Sequence, residues 1–177
     1  MSDSPAVRSV SALMDSYEDY PIPGILYRDL TPVFADADAF RAVVDELGAG
    51  VESMRIDVIA GVEARGFLLA AAVAYATRRG VLAVRKAGKL PGAVLSEEYD
   101  LEYGSACLEL HPHRLAEGSR VLLVDDLLAT GGTLAAAASL VERSGYVVGG
   151  VSVVLELDGL GGRARLASHE VRSILAL

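Results

Sequence analysis

The chain has 177 residues, of which 52% are apolar and 23% charged, and its 16 basic and 24 acidic side chains give a formal net charge of −8. This composition indicates one globular domain with a sizeable core and excludes a disordered chain. The acidic balance argues against general nucleic-acid binding, whose footprint is basic. A single cysteine, Cys107, excludes an internal disulfide and a cysteine-rich zinc site, and it fits a reducing compartment.

The sequence also bears on location. No apolar run reaches the roughly 18 residues of a membrane span. The first five residues lack the basic and apolar regions of a secretory signal. We therefore expect a cytoplasmic protein without a membrane partner.

The N-terminal segment divides into two patterns. Apolar residues at helical spacing predict a helix over Pro5 to Asp19. Residues 20–32 then contain three prolines and a glycine, which forbid a regular helix. Because this stretch is also rich in apolar side chains, two interpretations stay open: a loop packed on the core, or a hood over a flat apolar ligand.

The next elements alternate between helix and strand. Residues 38–54 predict a helix with an Asp cap, and residues 56–60 predict a buried strand. A loop with glycines at 61–66 precedes an apolar helix from Phe67 to about Arg78. Arg65, at the head of that helix, either binds a phosphate or acts as a capping or salt-bridging arginine.

The densest positive cluster follows a third predicted strand, residues 81–84. It is either a solvated basic turn or, at the edge where the other loops meet, a phosphate site; its cations are Arg85, Lys86 and Lys89. Residues 90–103 are polar and acidic, and Glu102 by itself resembles an exposed strand charge. A strand at 104–110 and a turn at 111–117 follow, in which neither histidine has a metal-ligand partner at suitable spacing.

The most informative stretch lies between residues 121 and 134. A buried strand, Val121 to Val124, is predicted to end at Asp125 and Asp126, and a helix is predicted from Leu134 to Arg143 with Gly145 as its stop. The Thr-Gly-Gly-Thr between them offers hydroxyls and free helix N–H groups to a phosphate. Paired carboxylates suit sugar hydroxyls or a metal, so a phosphorylated ribose fits both features. An ordinary βα turn is the alternative, and no lysine follows the glycines as in a P-loop.

The C-terminal part completes the alternation. Residues 147–157 predict a long strand and residues 171–177 a short one. Residues 159–164 fit G-x-G-x-x-A, but the 13 residues that remain are too few for a dinucleotide unit. The whole pattern predicts an α/β fold: a mostly parallel central sheet with helices on both faces, an N-terminal hood, and ligands beyond the carboxyl ends of the strands.

Several of these stretches, within about residues 17–166, resemble the type I phosphoribosyltransferases, and the adenine phosphoribosyltransferases in particular. The match comprises the proline-rich segment, the glycine loop with Arg65, the basic turn, Leu-Glu-Tyr-Gly at 101–104, and Val-Leu-Leu-Val-Asp-Asp-Leu-Leu-Ala-Thr-Gly-Gly-Thr at 121–133. Tyr20 and Tyr27 stand where that family usually has Phe, and Ala87 stands where it usually has Pro.

The resemblance implies a single phosphoribosyltransferase domain over 1–177, with the hood at about 17–34 and a mobile lid at about 87–103. It implies Mg-dependent transfer of 5-phosphoribosyl from phosphoribosyl pyrophosphate (PRPP) to adenine, giving AMP and pyrophosphate in purine salvage. A homodimer is implied as well. We expect Mg²⁺ to be carried mainly by PRPP and water, with no metal site built from protein ligands.

The same resemblance assigns roles to residues. Glu102 and Arg65 are the implied catalytic residues, and Tyr103 belongs to the lid. The 5′-phosphate is assigned to Ala129, Thr130, Gly131, Gly132 and Thr133, and the ribose hydroxyls to Asp125 and Asp126. Pyrophosphate is assigned to Glu63, Ala64, Arg65, Arg85, Lys86 and Lys89, and adenine to Ile25, Arg28 and Leu127. A non-proline cis peptide is expected at Glu63–Ala64.

Two rival functions stay open. One is the same chemistry on hypoxanthine, guanine or a pyrimidine, against which the hood motif argues. The other is a PRPP-sensing regulator without catalysis. Such a protein would need a DNA-binding domain, for which the short N-terminus is expected to leave no room, and the presence of Glu102 and Arg65 also favours an enzyme.

Overall fold

The computed structural model describes residues 4–100 and 104–177. The helices are α1 (Pro5–Leu13), α2 (Thr31–Ala35), α3 (Ala37–Leu47), α4 (Arg65–Thr77), α5 (Gly132–Arg143) and α6 (Gly162–Arg165). The strands are β1 (Asp15–Tyr17), β2 (Tyr27–Asp29), β3 (Val58–Val62), β4 (Gly80–Lys86), β5 (Leu95–Asp100), β6 (Ser105–Leu110), β7 (Arg120–Leu128), β8 (Val147–Glu156) and β9 (Val171–Ala176).

Seven strands form the central sheet, in the order β5-β6-β4-β3-β7-β8-β9. The five strands from β4 to β9 in that order are parallel, whereas β6 pairs antiparallel with both β4 and β5. Strands β1 and β2 form a separate antiparallel pair. The mostly parallel α/β fold expected from the sequence is therefore confirmed.

Both faces of the sheet are buried. On β3, Ile59 packs into a cluster with residues of α1, α3 and α4, while its neighbours Val58 and Ala60 pack into a second cluster with residues of α5. The same alternation occurs on β7, where Leu122 joins the first cluster and Leu123 the second. Because side chains alternate along a strand, two covered faces explain why β3 is apolar throughout and why β7 is apolar from Val121 to Val124.

Three predicted boundaries were wrong. Helix α1 ends at Leu13, because residues 15–17 pair with β2 instead of continuing to Asp19. Helix α3 is capped by the Asp36 side chain. It ends at Leu47 rather than at the predicted Met54, because Gly48 comes directly after Leu47 and Gly50 follows. Glycine is a poor helix former, which accounts for the early stop.

The third wrong boundary concerns β7. The strand does not end at Asp125, because its pairing with β8 continues as far as Leu128 opposite Glu156. By contrast, Gly145 follows α5 with a φ of 81°, as expected of a helix stop. Among the described residues, no helix is long and apolar enough to cross a membrane.

Helix α4 lies unusually close to β3, and two glycines permit it. A Cβ on Gly61 would lie 2.6 Å from the Gly66 carbonyl oxygen and 2.7 Å from the Ala70 Cβ. The contact fixes the start of α4, and with it Arg65, over the end of β3.

We expect Gly61→Ala to destabilise the protein by about 2–3 kcal/mol, because the new methyl group meets backbone that cannot move aside. Gly80→Ala, where a Cβ meets no atom within 4 Å, is the matched control and should change the free energy of unfolding by no more than about 0.5 kcal/mol. Urea denaturation measures both. Equal effects in the two variants would show that the close approach of α4 is not a constraint.

Candidate functional site

The site lies between β3 and β7, where the order in which strands are added to the sheet reverses. After β3 the chain continues through α4 to β4, and after β7 it continues through α5 to β8 on the other side. Helices α4 and α5 cover opposite faces, so a crevice opens between the carboxyl ends of β3 and β7. Such switch points are where open α/β sheets bind ligands.

A cleft of about 740 Å³ occupies this crevice. Strand β7 forms its floor, because pairing with β3 stops at Val124 while the strand itself runs on to Leu128. Most of the residues assigned from the sequence border it: Glu63, Ala64, Arg65, Lys86, Asp125, Asp126, Leu127 and Ala129 to Thr133. Residues far apart in the chain are thus brought together at one place.

The two carboxylates at the cleft differ in their surroundings. Asp126 Oδ2 lies 2.6 Å from Arg65 Nε, whereas Asp125 Oδ1 accepts a hydrogen bond of 2.9 Å from the Asp126 backbone N–H. Burial, followed by the neighbouring charge of Asp126, raises the pKa of Asp125. Asp126 is therefore the carboxylate with a cationic partner, and Asp125 is the more deeply enclosed one.

Asp125 occupies space left by a glycine. A Cβ on Gly66 would lie 2.8 Å from Asp125 Oδ1. The carboxyl group consequently sits against the first turn of α4, whose N-terminal end is electropositive. The glycine after Arg65 thus lets α4 approach β7 and makes room for Asp125, whereas Gly61 permits the approach of α4 to β3.

Glu63 is the acidic partner of the basic turn. Its carboxylate accepts hydrogen bonds from Lys89 Nζ at 2.5 Å, the Lys86 backbone N–H at 3.0 Å and Arg85 Nε at 3.4 Å. The side chain is 10% exposed, and these donors, Lys89 first, lower the pKa of Glu63 to about 2. Arg85 and Lys89, assigned to pyrophosphate, thus lie beside the cleft and hold this carboxylate.

The backbone around Glu63 also matches the expectation. The peptide bond between Glu63 and Ala64 is cis, as is Tyr20–Pro21. The predicted position of the non-proline cis bond is therefore confirmed.

The loop before α5 rests on a second glycine turn. Gly131, with a φ of 77°, is the N-cap of α5, and a Cβ there would lie 2.8 Å from the Gly162 carbonyl oxygen. A Cβ on Gly162 would lie 2.2 Å from the Ala129 carbonyl oxygen. The G-x-G-x-x-A pattern that resembles a dinucleotide site is instead a support for the loop at residues 129–133.

An ion pair between the half-exposed Arg163 and the buried carboxylate of Glu156 anchors that support. Arg163 Nε and Nη2 donate to Glu156 at 2.8 and 2.5 Å, and the Ser173 hydroxyl donates to the same carboxylate at 2.8 Å. Arg163, then Ser173, lowers the pKa of Glu156 against its burial.

The hood reaches the site through one side chain. The Tyr27 hydroxyl accepts a hydrogen bond of 2.7 Å from Arg65 Nη1, and the Arg65 guanidinium carbon lies 5.9 Å from the centre of the Tyr27 ring. Arg28, by contrast, donates from its side chain to the Ser16 hydroxyl at 2.6 Å. Of the three residues assigned to adenine, Leu127 borders the cleft, whereas Ile25 and Arg28 do not.

Comparison with known proteins gives a consistent result. Residues 37–172 match the model of the phosphoribosyl transferase domain. The chain is 64% identical to an adenine phosphoribosyltransferase of Clavibacter michiganensis subsp. michiganensis over 100% of both chains. It is 59% identical to one of an Arthrobacter species, over 98% of this chain and 93% of that protein.

Solved structures agree. Adenine phosphoribosyltransferase of Thermoanaerobacter pseudethanolicus superposes with a TM-score of 0.92 at 43% identity, covering 97% of this chain and 99% of that one. The Saccharomyces cerevisiae enzyme, complexed with an imino-altritol bisphosphate and adenine, gives 0.91 at 37% identity, covering 96% and 98%. The chain belongs to the adenine phosphoribosyltransferase family.

Sequence analysis missed several residues at this phosphoribosyltransferase cleft. Tyr99, Ala106 and Cys107, from the β5–β6 hairpin, also line it. Tyr99 is paired with Ala106 across the two strands, so a polar segment assigned to the lid contains a regular strand. Leu95 and Tyr99 lie on one face of this strand, but Glu97 between them interrupts the apolar–polar alternation by which a strand is recognised in a sequence. Glu102 and Tyr103 lie outside the described residues.

The ionisation of Glu63 predicts a pH dependence of stability. The pKa of Glu63 falls from 4.5 to about 2 on folding, so the unfolded chain binds more protons between these values. The stabilisation is therefore complete above the unfolded pKa and is lost as the pH falls towards the folded one. We expect Glu63→Gln to lose less unfolding free energy than the wild type between about pH 5 and about pH 3.

Urea denaturation at the two pH values measures this difference. Glu117→Gln, at an exposed glutamate outside the site, is the control and should keep the wild-type pH dependence. An unchanged slope in Glu63→Gln would contradict the proposed state of this carboxylate.

Proposed function

We propose that this protein transfers the 5-phosphoribosyl group of PRPP to adenine, giving AMP and pyrophosphate. The observation that carries the proposal is the single cleft in which a helix N-terminus, a pair of carboxylates and a basic turn meet. PRPP joins three groups that match these features: its 5′-phosphate suits the helix N-terminus, its ribose hydroxyls suit the carboxylates, and its pyrophosphate suits the basic turn. Relatives named for this activity, at 64% and 59% identity, support it.

The 5′-phosphate is assigned to the loop at residues 129–133. Backbone N–H groups at the start of α5 and the hydroxyls of Thr130 and Thr133 donate to its oxygens. The ribose hydroxyls lie next to Asp125 and Asp126. The carboxyl oxygens of this pair can accept hydrogen bonds from the sugar hydroxyls.

The leaving pyrophosphate is assigned to Arg65, Lys86 and the cations that hold Glu63. In the absence of substrate these cations are paired with carboxylates: Arg65 with Asp126, and Lys89 with Glu63. Pyrophosphate carries more negative charge than a single carboxylate, so it competes for the same donors. Stabilisation of the charge that develops on the leaving group is the main electrostatic contribution of these side chains.

Adenine is assigned to the hood, between Ile25, the Arg28 backbone and Leu127. Its N9 attacks the anomeric carbon as the bond to pyrophosphate breaks, and the N9 proton passes to Glu102. Closure of the lid, with Tyr103, excludes the water that would otherwise hydrolyse the cationic ribose.

Mg²⁺ belongs to the proposal as a cofactor that arrives with PRPP. We expect the oxygens of PRPP and water to supply most of its ligands. Asp125 and Asp126 offer the hard oxygen donors that Mg²⁺ prefers. Bound there, the ion would neutralise charge on the leaving group. We place the reaction in the cytoplasm, where a lone cysteine stays reduced.

The proposal includes a homodimer, for which one exposed apolar patch is suited. On α4, Leu68 and Tyr75 are 58% and 89% exposed and lie on one stripe of the helix. Val81, 51% exposed, is paired with Ile59 of β3 and so points to the same side of the sheet. Exposed apolar side chains grouped in this way are typical of an interaction surface.

The activity is tested by AMP formation from PRPP and Mg²⁺ with adenine, hypoxanthine or guanine. We expect turnover with adenine alone. Glu102→Ala should lower kcat about 100-fold or more, because proton transfer loses its acceptor, whereas Glu117→Ala, at an exposed glutamate outside the site, should not. Turnover of another base would correct the substrate, and PRPP binding without turnover of any base would favour a PRPP sensor.

The dimer is tested by sedimentation of the wild type and of Leu68→Asp. We expect the wild type to sediment as a dimer and the variant as a monomer, because a buried unpaired carboxylate is costly in an interface. Val147→Asp, at an apolar residue that is 40% exposed on β8, is the control and should stay dimeric. A dimeric Leu68→Asp variant would place the interface elsewhere.

A further inference from the structure

The Tyr27 hydroxyl connects two halves of the cleft that are distant in sequence. It accepts a 2.7 Å hydrogen bond from Arg65 Nη1, across 38 residues of chain, while Arg65 Nε lies 2.6 Å from Asp126. The guanidinium therefore bridges the hood on one side and the floor of the cleft on the other. Tyr27 lies on β2, Arg65 begins α4 and Asp126 lies on β7, so three separate elements meet at one group.

This bridge leaves part of the guanidinium available to a ligand. Arginine has five N–H donors in a planar fork, and two of them are directed at Tyr27 and Asp126. The Arg65 side chain is 32% exposed and Asp126 only 9%. With its plane fixed by two partners, Arg65 can direct its remaining donors at an anion in the cleft without losing further side-chain freedom.

The β1–β2 part of the hood is largely exposed, whereas Leu30 and Val33, which follow it, are buried in the core. Tyr17, Tyr20 and Leu26 are 51%, 56% and 45% exposed, and Tyr20 contacts the Tyr27 ring edge-on at 5.2 Å. Among the described residues, Tyr27–Arg65 is the side-chain hydrogen bond that joins the hood to residues lining the cleft. The position of the hood and the position of Arg65 are therefore linked.

We propose that Tyr27 is a positioning residue that acts through Arg65: its hydroxyl fixes the guanidinium for PRPP and couples PRPP binding to the hood. The inference rests on the proposed function for the identity of the anion. It concerns the hydroxyl of Tyr27 and not its ring. A chain with phenylalanine there keeps the ring contact and loses the hydrogen bond.

Tyr27→Phe removes only this hydroxyl and is the decisive variant. We expect the KM for PRPP, and the Kd for PRPP measured by calorimetry with Mg²⁺, to rise about fivefold to tenfold, as for loss of a hydrogen bond to a charged group. At saturating PRPP, kcat should change less than about twofold, and the melting temperature should stay near that of the wild type. Tyr146→Phe, which deletes a hydroxyl that accepts hydrogen bonds from the backbone N–H groups of Arg114 and Leu115 outside the cleft, is the control and should leave both constants unchanged.

A double-mutant cycle separates positioning through Arg65 from an independent effect of the hood. Lysine cannot bridge two partners as the arginine fork does. In an Arg65→Lys background, Tyr27→Phe should therefore raise the Kd for PRPP by less than about twofold. A full multiplicative effect in that background, or an unchanged Kd in the single variant, would overturn the proposal.

The calorimetric measurement also keeps this inference distinct from the proposed function. If the wild type binds PRPP without forming AMP, and Tyr27→Phe weakens that binding, the coupling stands and the transferase activity does not. If AMP forms and Tyr27→Phe binds PRPP as the wild type does, the activity stands and the coupling fails. A wild type that does not bind PRPP overturns both.

Discussion

The ion pair between Arg65 and Asp126 is the interaction on which the geometry of the site depends. Asp126 lies at the end of β7 that projects beyond β3, and Arg65 is the first residue of the helix that follows β3. The pair thus spans the crevice between β3 and β7, and the helices that follow these strands, α4 and α5, cover opposite faces of the sheet. A break in the pair would leave a buried carboxylate unpaired, a situation that proteins avoid because it is costly.

The same arrangement determines how charge is distributed before substrate arrives. The protein carries a net charge of −8, yet its cleft must bind a polyanion. Two carboxylates, Asp126 and Glu63, hold the principal cations in place, so arginine and lysine side chains are ordered by internal partners. Binding of an anionic substrate is then an exchange of partners for ordered cations, which costs less conformational entropy than collecting mobile side chains.

Much of this arrangement follows from residue patterns. Apolar strands ending in glycine-rich loops predicted the parallel sheet, the position of the cleft and the grouping of Arg65 with Asp126, because carboxyl ends of parallel strands meet at one edge. The details that failed depend on tertiary contacts. Nothing local in Asp125 indicates that β7 continues, since its pairing with β8 decides this, and the end of α1 depends on the pairing of β1 with β2.

The bridge through Tyr27 shows where sequence analysis reaches its limit. The pattern around Tyr27 predicts a hood, but the partner of its hydroxyl lies 38 residues further along the chain, and no spacing rule connects the two. A substitution of phenylalanine by tyrosine looks conservative in a sequence because the ring is kept. In this fold the Tyr27 hydroxyl accepts a hydrogen bond from Arg65, whose guanidinium also contacts Asp126 on the floor of the cleft. One oxygen atom therefore links the hood to the guanidinium over the cleft floor, and only the three-dimensional arrangement reveals the link.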